Sequence, residues 1–455
     1  MSNQSSLHKF SAAGFLITLG IVFGDIGTSP IYVMSAIIKN QVLSRDLILG
    51  GLSCVFWTLI SITTVKYVWL ALNADNKGEG GIFALYALVR RYKASWTLIP
   101  ALIGCATLIA DGFITPPISI CSAVEGMRII NPDITQNTVQ IIVIAILVVL
   151  FTFQQFGTNI VGAFFGPVMS IWFIMIAILG INMASTNLDV FNALNPYYAY
   201  NLLVNYPHGF WLLGAVFLCT TGGEALYSDL GHCGKQNIRV SWSIVMVCLM
   251  LCYMGQAAYL LNHLGNESLP ITPFYALMPK WFLPYGVVVA TFATIIASQA
   301  LITGCFTLVN EAMKLKLWPN LKVVYPTTNQ GQMYIPAINW LLFVGCVAVV
   351  LLFKESSAME AAYGLAIMLN MLMTTSLLIY LLFVHRKPIW IIASLAVFLF
   401  SIEIAFFISN LEKFPHGGWF TFILAVTIFA AMYLFYRARK MRTQHTEFVP
   451  IKDYI

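Results

Sequence analysis

Residues 24–30 read Gly24-Asp25-Ile26-Gly27-Thr28-Ser29-Pro30, set between FLITLGIVF (15–23) and IYVMSAII (31–38). Both flanks are apolar enough to lie in lipid. The fold therefore turns on why a carboxylate, two glycines, two hydroxyls and a proline interrupt them. A charged side chain at mid-membrane costs ~2.5–3.5 kcal/mol on insertion scales, and it persists where it faces a cavity, pairs or takes up a proton. Gly24, Gly27 and Pro30 disfavour continuous helix. Broken helix at this depth is tolerated only where protein buries it or where it lines a water-filled cavity. The stretch reads as an unwound point whose carbonyls, Asp25 carboxylate and hydroxyls face inward together, an oxygen-rich site suited to a hard, desolvated cation. The other reading is a helix kink in which Asp25 is capped by its own Thr28 and Ser29.

The composition agrees with a membrane solvent. Of 455 residues, 59% are hydrophobic and 9% charged, against about 25% charged in a soluble domain, and the mean hydropathy is +0.83. Runs long enough to cross a ~30 Å hydrocarbon core recur from end to end, with no break that suggests a large soluble domain. MSNQSSLHKF (1–10) lacks the basic region and cleavage site of a signal peptide, so the first apolar segment is expected to be a permanent span. The basic residues are scattered over short loops, which argues against nucleic acid as a partner. Nine cysteines, mostly in apolar segments and without a Cys-x-x-Cys pair, read as small packing residues rather than as metal ligands or disulfides.

The pattern predicts an all-α polytopic membrane protein of twelve spans, near 12–38, 47–72, 96–127, 138–156, 161–182, 208–228, 239–262, 282–312, 334–353, 359–384, 388–409 and 418–436. Segment 80–93, GGIFALYALVRRYK, is amphipathic and is expected at the interface. With twelve spans both termini lie on one side. That side holds 17 Lys and Arg outside the spans and the other holds 6, with Lys66 inside a span. The bias places both termini in the cytoplasm of a multi-pass cell (inner, plasma) membrane protein.

Two further spans repeat the opening theme. Span 3 carries Asp111, Thr115 and Ser119 at i, i+4 and i+8, one helical face. They form a polar stripe on a cavity wall, unless the hydroxyls merely bond back to the preceding turn. Span 6 carries Cys219-Thr220-Thr221-Gly222-Gly223-Glu224. If spans 1–5 and 6–10 are two repeats, both interruptions fall in the first helix of each, and five spans per repeat makes the copies inverted. Paired interruptions of this kind point to a transporter's central site, with Gly24, Gly27, Gly222 and Gly223 as the helix-break glycines. Glu125, at the outer end of span 3, either joins this chemistry or reaches interface water. Glu403, within FLFSIEIAFFI of span 11, has few polar neighbours in sequence and is expected to hold its proton. Glu311 ends span 8 and is expected at the cytoplasmic interface. Tyr32 follows Asp25 by seven residues, and Tyr363 offers a hydroxyl at similar depth in span 10. Either tyrosine is otherwise a packing or interfacial residue.

These residues carry a resemblance. GIVFGDIGTSPIY (20–32), ADNKGEGGIFAL (74–85), DGFITPPISICSAVEG (111–126), FGPVM (165–169), TGGEALYSDLGHCGKQNIRVSW (221–242), IASQALITG (296–304) and GQMYIPAINW (331–340) resemble, in order, the motifs of the KUP/HAK/KT potassium uptake family. The resemblance runs from about 12 to 440. It implies a potassium importer coupled to protons, on the amino acid–polyamine–organocation scaffold with inverted five-helix repeats, broken helices 1 and 6, and no cofactor. The single transmembrane domain then divides into repeat 1 (about 12–182), repeat 2 (about 208–384), helices 11 and 12 (about 388–436) and a short cytoplasmic tail (437–455). The family's potassium-coordinating pattern falls on Asp25, Tyr32, Asp111, Thr115, Ser119, a span-6 threonine (Thr220 or Thr221) and Tyr363. Its proton-path acids match Glu224, Glu125 and Glu403. Potassium, the proton and membrane lipid are the implied partners, with a homodimer as one admissible assembly. A tyrosine that follows the span-3 aspartate in some relatives is Gly112 here. Many relatives continue into a long cytoplasmic domain, whereas about twenty residues follow the last span here, so nucleotide regulation is not carried over.

Three other classes remain to be weighed. An amino-acid or organic-cation transporter on the same scaffold would bind a carboxylate with bare amides, which Asp25 would repel. A potassium channel would need a TVGYG-like filter, and none occurs. An enzyme is disfavoured because no His-Glu-x-x-His motif, P-loop or G-x-S-x-G elbow is present.

Overall fold

The computed structural model describes residues 11–92, 94–156, 159–265, 272–325 and 333–445, without the side chains of 159–163. Among them, eleven helices are long and apolar enough to cross a membrane, and a bent pair makes a twelfth. Span 1 is that pair, Ala12–Ile21 and Gly24–Ile31, meeting at 67°. Spans 2 to 12 are Arg45–Asn73, Ser95–Ile130, Gln136–Phe156, Phe164–Ala184, Gly209–Ser228, Lys235–Asn262, Leu283–Lys314, Pro336–Phe353, Ser356–Val384, Ile389–Leu411 and Phe414–Gln444. The expected all-α polytopic architecture is thus observed. Spans 3 and 6 are the most enclosed, with 78% and 83% of their apolar windows buried, whereas span 11 reaches only 22%. The spans richest in polar interruptions are those shielded from lipid.

Local chemistry sets the span starts. Ser11, Ser44 and Thr135 precede spans 1, 2 and 4, and their side chains accept from the amides of Gly14, Leu47 and Thr138, which satisfies donors a helix start leaves free. Close helix contact relies on small residues. A Cβ at Gly180 in span 5 would lie 2.3 Å from the Leu251 carbonyl oxygen of span 7, and one at Gly255 would lie 2.8 Å from Gly180 Cα.

Three details differ from the sequence expectation. The bend in span 1 lies at Val22–Phe23, ahead of the polar stretch: Gly24–Thr28 is itself a short helix and Ser29–Ile31 a 3-10 turn. Gly27 is therefore not a break. It is small because a Cβ there would sit 2.7 Å from the Phe173 ring, just as one at Gly24 would sit 2.7 Å from Ala297 Cα. Second, the amphipathic segment forms a helix, Ile82–Arg90, with Ile82, Phe83, Ala84, Leu85, Tyr86 and Val89 buried. Ile82 fills the space that a Cβ on Gly104 of span 3 would occupy, so its apolar face covers the bundle rather than lipid. Third, within span 2, Leu59–Leu70 is a π-helix of 12 residues, a geometry rare in length and frequent at functional sites.

Candidate functional site

The break of span 6 touches the short helix Gly24–Thr28 that follows the bend of span 1. Thr221 is extended (φ −57, ψ 140) and Gly222 has φ +88, a conformation in which glycine carries no steric cost. A Cβ on Gly222 would lie 2.9 Å from Ile26 N, 3.0 Å from Asp25 Cβ and 3.1 Å from Asp25 Oδ2. Glycine at 222 is what allows the two segments to meet. Beside this contact, Ser29 Oγ lies 3.2 Å from Thr221 Oγ1 and 3.3 Å from Tyr32 Oη. Thr220 Oγ1 donates to the Phe217 carbonyl and Thr221 Oγ1 to the Leu218 carbonyl, each at 2.9 Å. Of the two threonines, Thr221 is the one that also reaches span 1.

Asp25 is 5% exposed, and neither of its carboxylate oxygens has a hydrogen-bond partner among the described residues. The capped-kink reading fails on this point. Thr28 Oγ1 donates at 3.0 Å, and Ser29 Oγ at 3.4 Å, to the Asp25 backbone carbonyl. The hydroxyls satisfy the main chain and leave the carboxylate free. The carbonyls of Gly27 and Pro30 are taken by Trp172 Nε1 and Gln256 Nε2, both at 2.9 Å. A buried carboxylate without donors is expensive unless a charge or a proton compensates it.

Span 3 supplies the second wall. Leu98–Asp111 and Thr115–Glu125 are separate helices, and Pro116 and Pro117 fall in the first turn of the second, where a missing N–H costs nothing. Thr115 Oγ1 donates to Asp111 Oδ1 at 2.7 Å rather than back to the preceding turn, and Ser119 Oγ is buried without a partner. Tyr363 Oη is also buried and unpartnered, within electrostatic reach of Asp25, Asp111 and Tyr32. At Gly112 a Cβ would lie 2.7 Å from Cys305 Sγ, so span 8 occupies the place of a larger side chain. A cavity of about 30 Å³ is lined by Asp25, Asp111, Gly222 and Glu224, closed by Ala300, Leu301, Gly304 and Cys305 of span 8. It has room for roughly one or two water-sized bodies. Three carboxylates facing so small a volume favour a monovalent cation or protons over an anion.

Glu224 accepts a hydrogen bond from Tyr67 Oη at 2.9 Å, and the Tyr67 ring packs where a Cβ on Gly223 would approach to 3.1 Å. The other two acids expected on a proton path lie elsewhere. Glu125 accepts from Ser356 N at 3.0 Å, from Ser356 Oγ and from Gln136 Nε2 at 3.2 Å. It lines a separate cavity of about 80 Å³ with Tyr32, Ser35 and Ser122. Glu403 is not isolated, contrary to the sequence expectation. Its Oε1 accepts from Lys66 Nζ and from Thr375 Oγ1, both at 2.7 Å, and Lys66 Nζ also donates to the Met371 carbonyl at 2.9 Å. Both charged side chains are fully buried. Glu311, expected at an interface, lies near Glu79, Lys314 and His232.

Two participants were missed. Lys66 enters the sequence reading only as a basic residue inside a span, although a lysine inside TVKYVW demands a buried acid in the same way that Glu403 demands a base. Glu360 opens span 10 three residues ahead of Tyr363. It is 6% exposed and lines the 80 Å³ cavity with Glu125. Its carboxylate one turn inside an apolar span was the available signal.

Residues 12–440 match a family model described as the K+ potassium transporter, integral membrane domain. The chain is similar to the "Probable potassium transport system protein Kup" of Flavobacterium psychrophilum, 56% identical across 100% of this chain and 70% of that protein. The protein of the same name in Flavobacterium johnsoniae is 54% identical over the same shares. That of Clostridium perfringens is 47% identical across 100% of this chain and 71% of its own length. Among solved structures, a manganese transporter of Eremococcus coleocola aligns over 95% of this chain and 94% of that one, at 13% identity and a TM-score of 0.46.

Proposed function

The chain belongs to the KUP/HAK/KT family of potassium transporters, and on that premise we propose that it imports potassium with protons by alternating access. It is a multi-pass membrane transport protein and not an enzyme. The observation that carries the finer reading is the buried, donor-free carboxylate of Asp25 in contact with the break of span 6.

Potassium sheds most of its water to bind, so the site must replace those oxygens. Asp25 and Asp111 supply carboxylates. Thr115, Ser119, Thr221, Tyr32 and Tyr363 supply hydroxyls on the walls around them. Neighbouring carboxylates resist joint ionisation, and a bound cation removes that resistance, which links potassium occupancy to proton release. Glu224 is the first proton acceptor, since it borders the same cavity and follows the span-6 break. Glu125 stands on the far side of Tyr32 and serves the outer path. Rocking of spans 1 and 6 about Val22–Phe23 and Thr221–Gly222 exposes the site in turn to either side. Both termini lie in the cytoplasm of the cell membrane, from the 17 to 6 charge bias. Spans 1–5 and 6–10 form the inverted repeats.

Reconstituted liposomes at fixed pH and voltage test this. Rubidium uptake should be accompanied by proton uptake. Asp25→Asn should abolish rubidium uptake while the protein remains folded in the membrane, and Glu224→Gln should abolish proton-driven accumulation. Normal uptake by Asp25→Asn refutes the cation assignment. Proton uptake on rubidium addition in Glu224→Gln places the proton elsewhere.

A further inference from the structure

A further cavity lies away from the central site, on the outer surface of the bundle between spans 2 and 7. It measures about 480 Å³ and is lined by Phe56 and Trp69 of span 2 and by Met246, Met250 and Met254 of span 7, with Arg239 at one end. From Arg239 to Met254 is fifteen residues of one helix, about 22 Å at 1.5 Å per residue, most of the depth of a hydrocarbon core. The methionines repeat every four residues and so share one face, and methionine adapts to irregular apolar occupants. Trp69 is 60% exposed and Val247 57% at the rim, while Met250 and Met254 are buried at its floor, so the groove is open among the described residues.

The polar end of the groove is cationic. Arg239 donates from Nε to the Val68 carbonyl and from Nη2 to Asn73 Oδ1, each at 3.3 Å. Guanidinium has five N–H donors, and two of Arg239's are engaged by these acceptors among the described residues. Lys235, one helical turn away, donates to the same Asn73 Oδ1. Neither cation has a carboxylate within ion-pair distance among the described residues. Asp75 is the acid within electrostatic reach of Lys235, and its Oδ2 accepts from Gly78 N. Two adjacent like charges that share one amide oxygen, at the mouth of an acyl-sized apolar groove, call for an anionic head carrying an apolar tail.

We propose that this groove is a binding site for one anionic phospholipid, its phosphate held by Arg239 and Lys235 and an acyl chain lying along Met246, Met250 and Met254. The wall on the other side is the π-helical segment, and the residue before the headgroup contact at Val68 is Tyr67, which holds Glu224. A seated lipid braces that segment from outside.

Native mass spectrometry of the full chain with added phosphatidylglycerol or phosphatidylcholine tests the site without reference to transport, so its failure leaves the potassium reading intact. Each cation near a membrane surface contributes about 1 kcal/mol toward anionic lipid, a fivefold change in affinity. Preference for phosphatidylglycerol should therefore fall about fivefold in Arg239→Gln and about thirty-fold in Lys235→Gln/Arg239→Gln, and survive in Arg239→Lys. Met250→Trp, which keeps both cations and fills the groove, should weaken both lipids alike. Equal binding of the two lipids to the wild-type chain, or a preference unchanged in the double variant, overturns the proposal. So does a lipid-free dimer cross-linked through cysteine at position 69.

Discussion

The Lys66–Glu403 pair allows a quantitative test of how this bundle is held together. Its N–O distance is 2.7 Å and both side chains are fully buried, so Coulomb's law at an effective dielectric of 20 gives about 6 kcal/mol of attraction. Desolvating the two ions opposes this by several kcal/mol each, which leaves a net worth near zero but a high penalty for breaking the pair. Lys66→Met strands the carboxylate of Glu403 with the Thr375 hydroxyl as the donor left to it among the described residues. It should lower unfolding stability by about 3–5 kcal/mol. Lys66→Met/Glu403→Leu removes both charges at similar volume and should recover most of that loss. Denaturant unfolding of the purified protein, run as a double-mutant cycle, should show a coupling energy of several kcal/mol. A Lys66→Met variant within about 0.5 kcal/mol of the parent, or a double variant no better than the single, refutes the reasoning. The double variant also divides two roles for Glu403. If that acid only braces spans 2, 10 and 11, rubidium uptake coupled to protons survives its removal. If it carries the transported proton, the protein folds but no longer accumulates rubidium.

Three further outcomes follow from geometry already described. Gly222→Ala forces a Cβ into positive φ against Ile26 N and Asp25 Cβ, so it should cost at least about 1–2 kcal/mol from backbone strain alone and show a lower unfolding midpoint and weaker rubidium binding by calorimetry. Thr115→Val removes the one hydrogen bond given to Asp111 Oδ1, worth about 1–3 kcal/mol when left unmet, and should shift rubidium KM roughly tenfold with little change in expression. His232, between spans 6 and 7, is held above its ordinary value of 6.5 by the Asp229 carboxylate 3.7 Å from its Nδ1, with burial opposing. Its stabilising contribution is therefore complete below about pH 6.5 and fades as pH rises through the raised value. The gap in unfolding midpoint between the parent and His232→Gln should be wide at pH 5.5 and narrow by pH 9, and a gap independent of pH would contradict the pairing.

The span pattern was legible because hydropathy is a local property: the twelve apolar runs and the observed helices agree to within about four residues, except at the C-terminal ends of spans 1 and 12. Asp25, Asp111 and Glu224 were legible for the same reason, as acids where lipid forbids them. What the sequence did not disclose were contacts across long separations. Lys66 and Glu403 stand 337 residues apart, and each looked anomalous only when viewed alone. The exact place of the span-1 bend was also hidden, since glycine there serves close packing against Ala297 and Phe173 rather than unwinding, and composition cannot separate those two uses. Glu360 is hard to read because it lies near the start of an apolar span, where an acid ordinarily reaches the headgroups.

The wide turns of Leu59–Leu70 carry an implication for how the chain tolerates changes in length. A π segment is an α-helix holding surplus backbone, so deleting one residue there can be absorbed by tightening to ordinary geometry without moving either end of the span. The same tightening would re-aim the side chains inside the segment, while those beyond it keep their register. A shortened span 2 would still insert and pack, yet Tyr67 would swing off Glu224 and Lys66 off Glu403, producing a well-folded protein with its two charge contacts out of register.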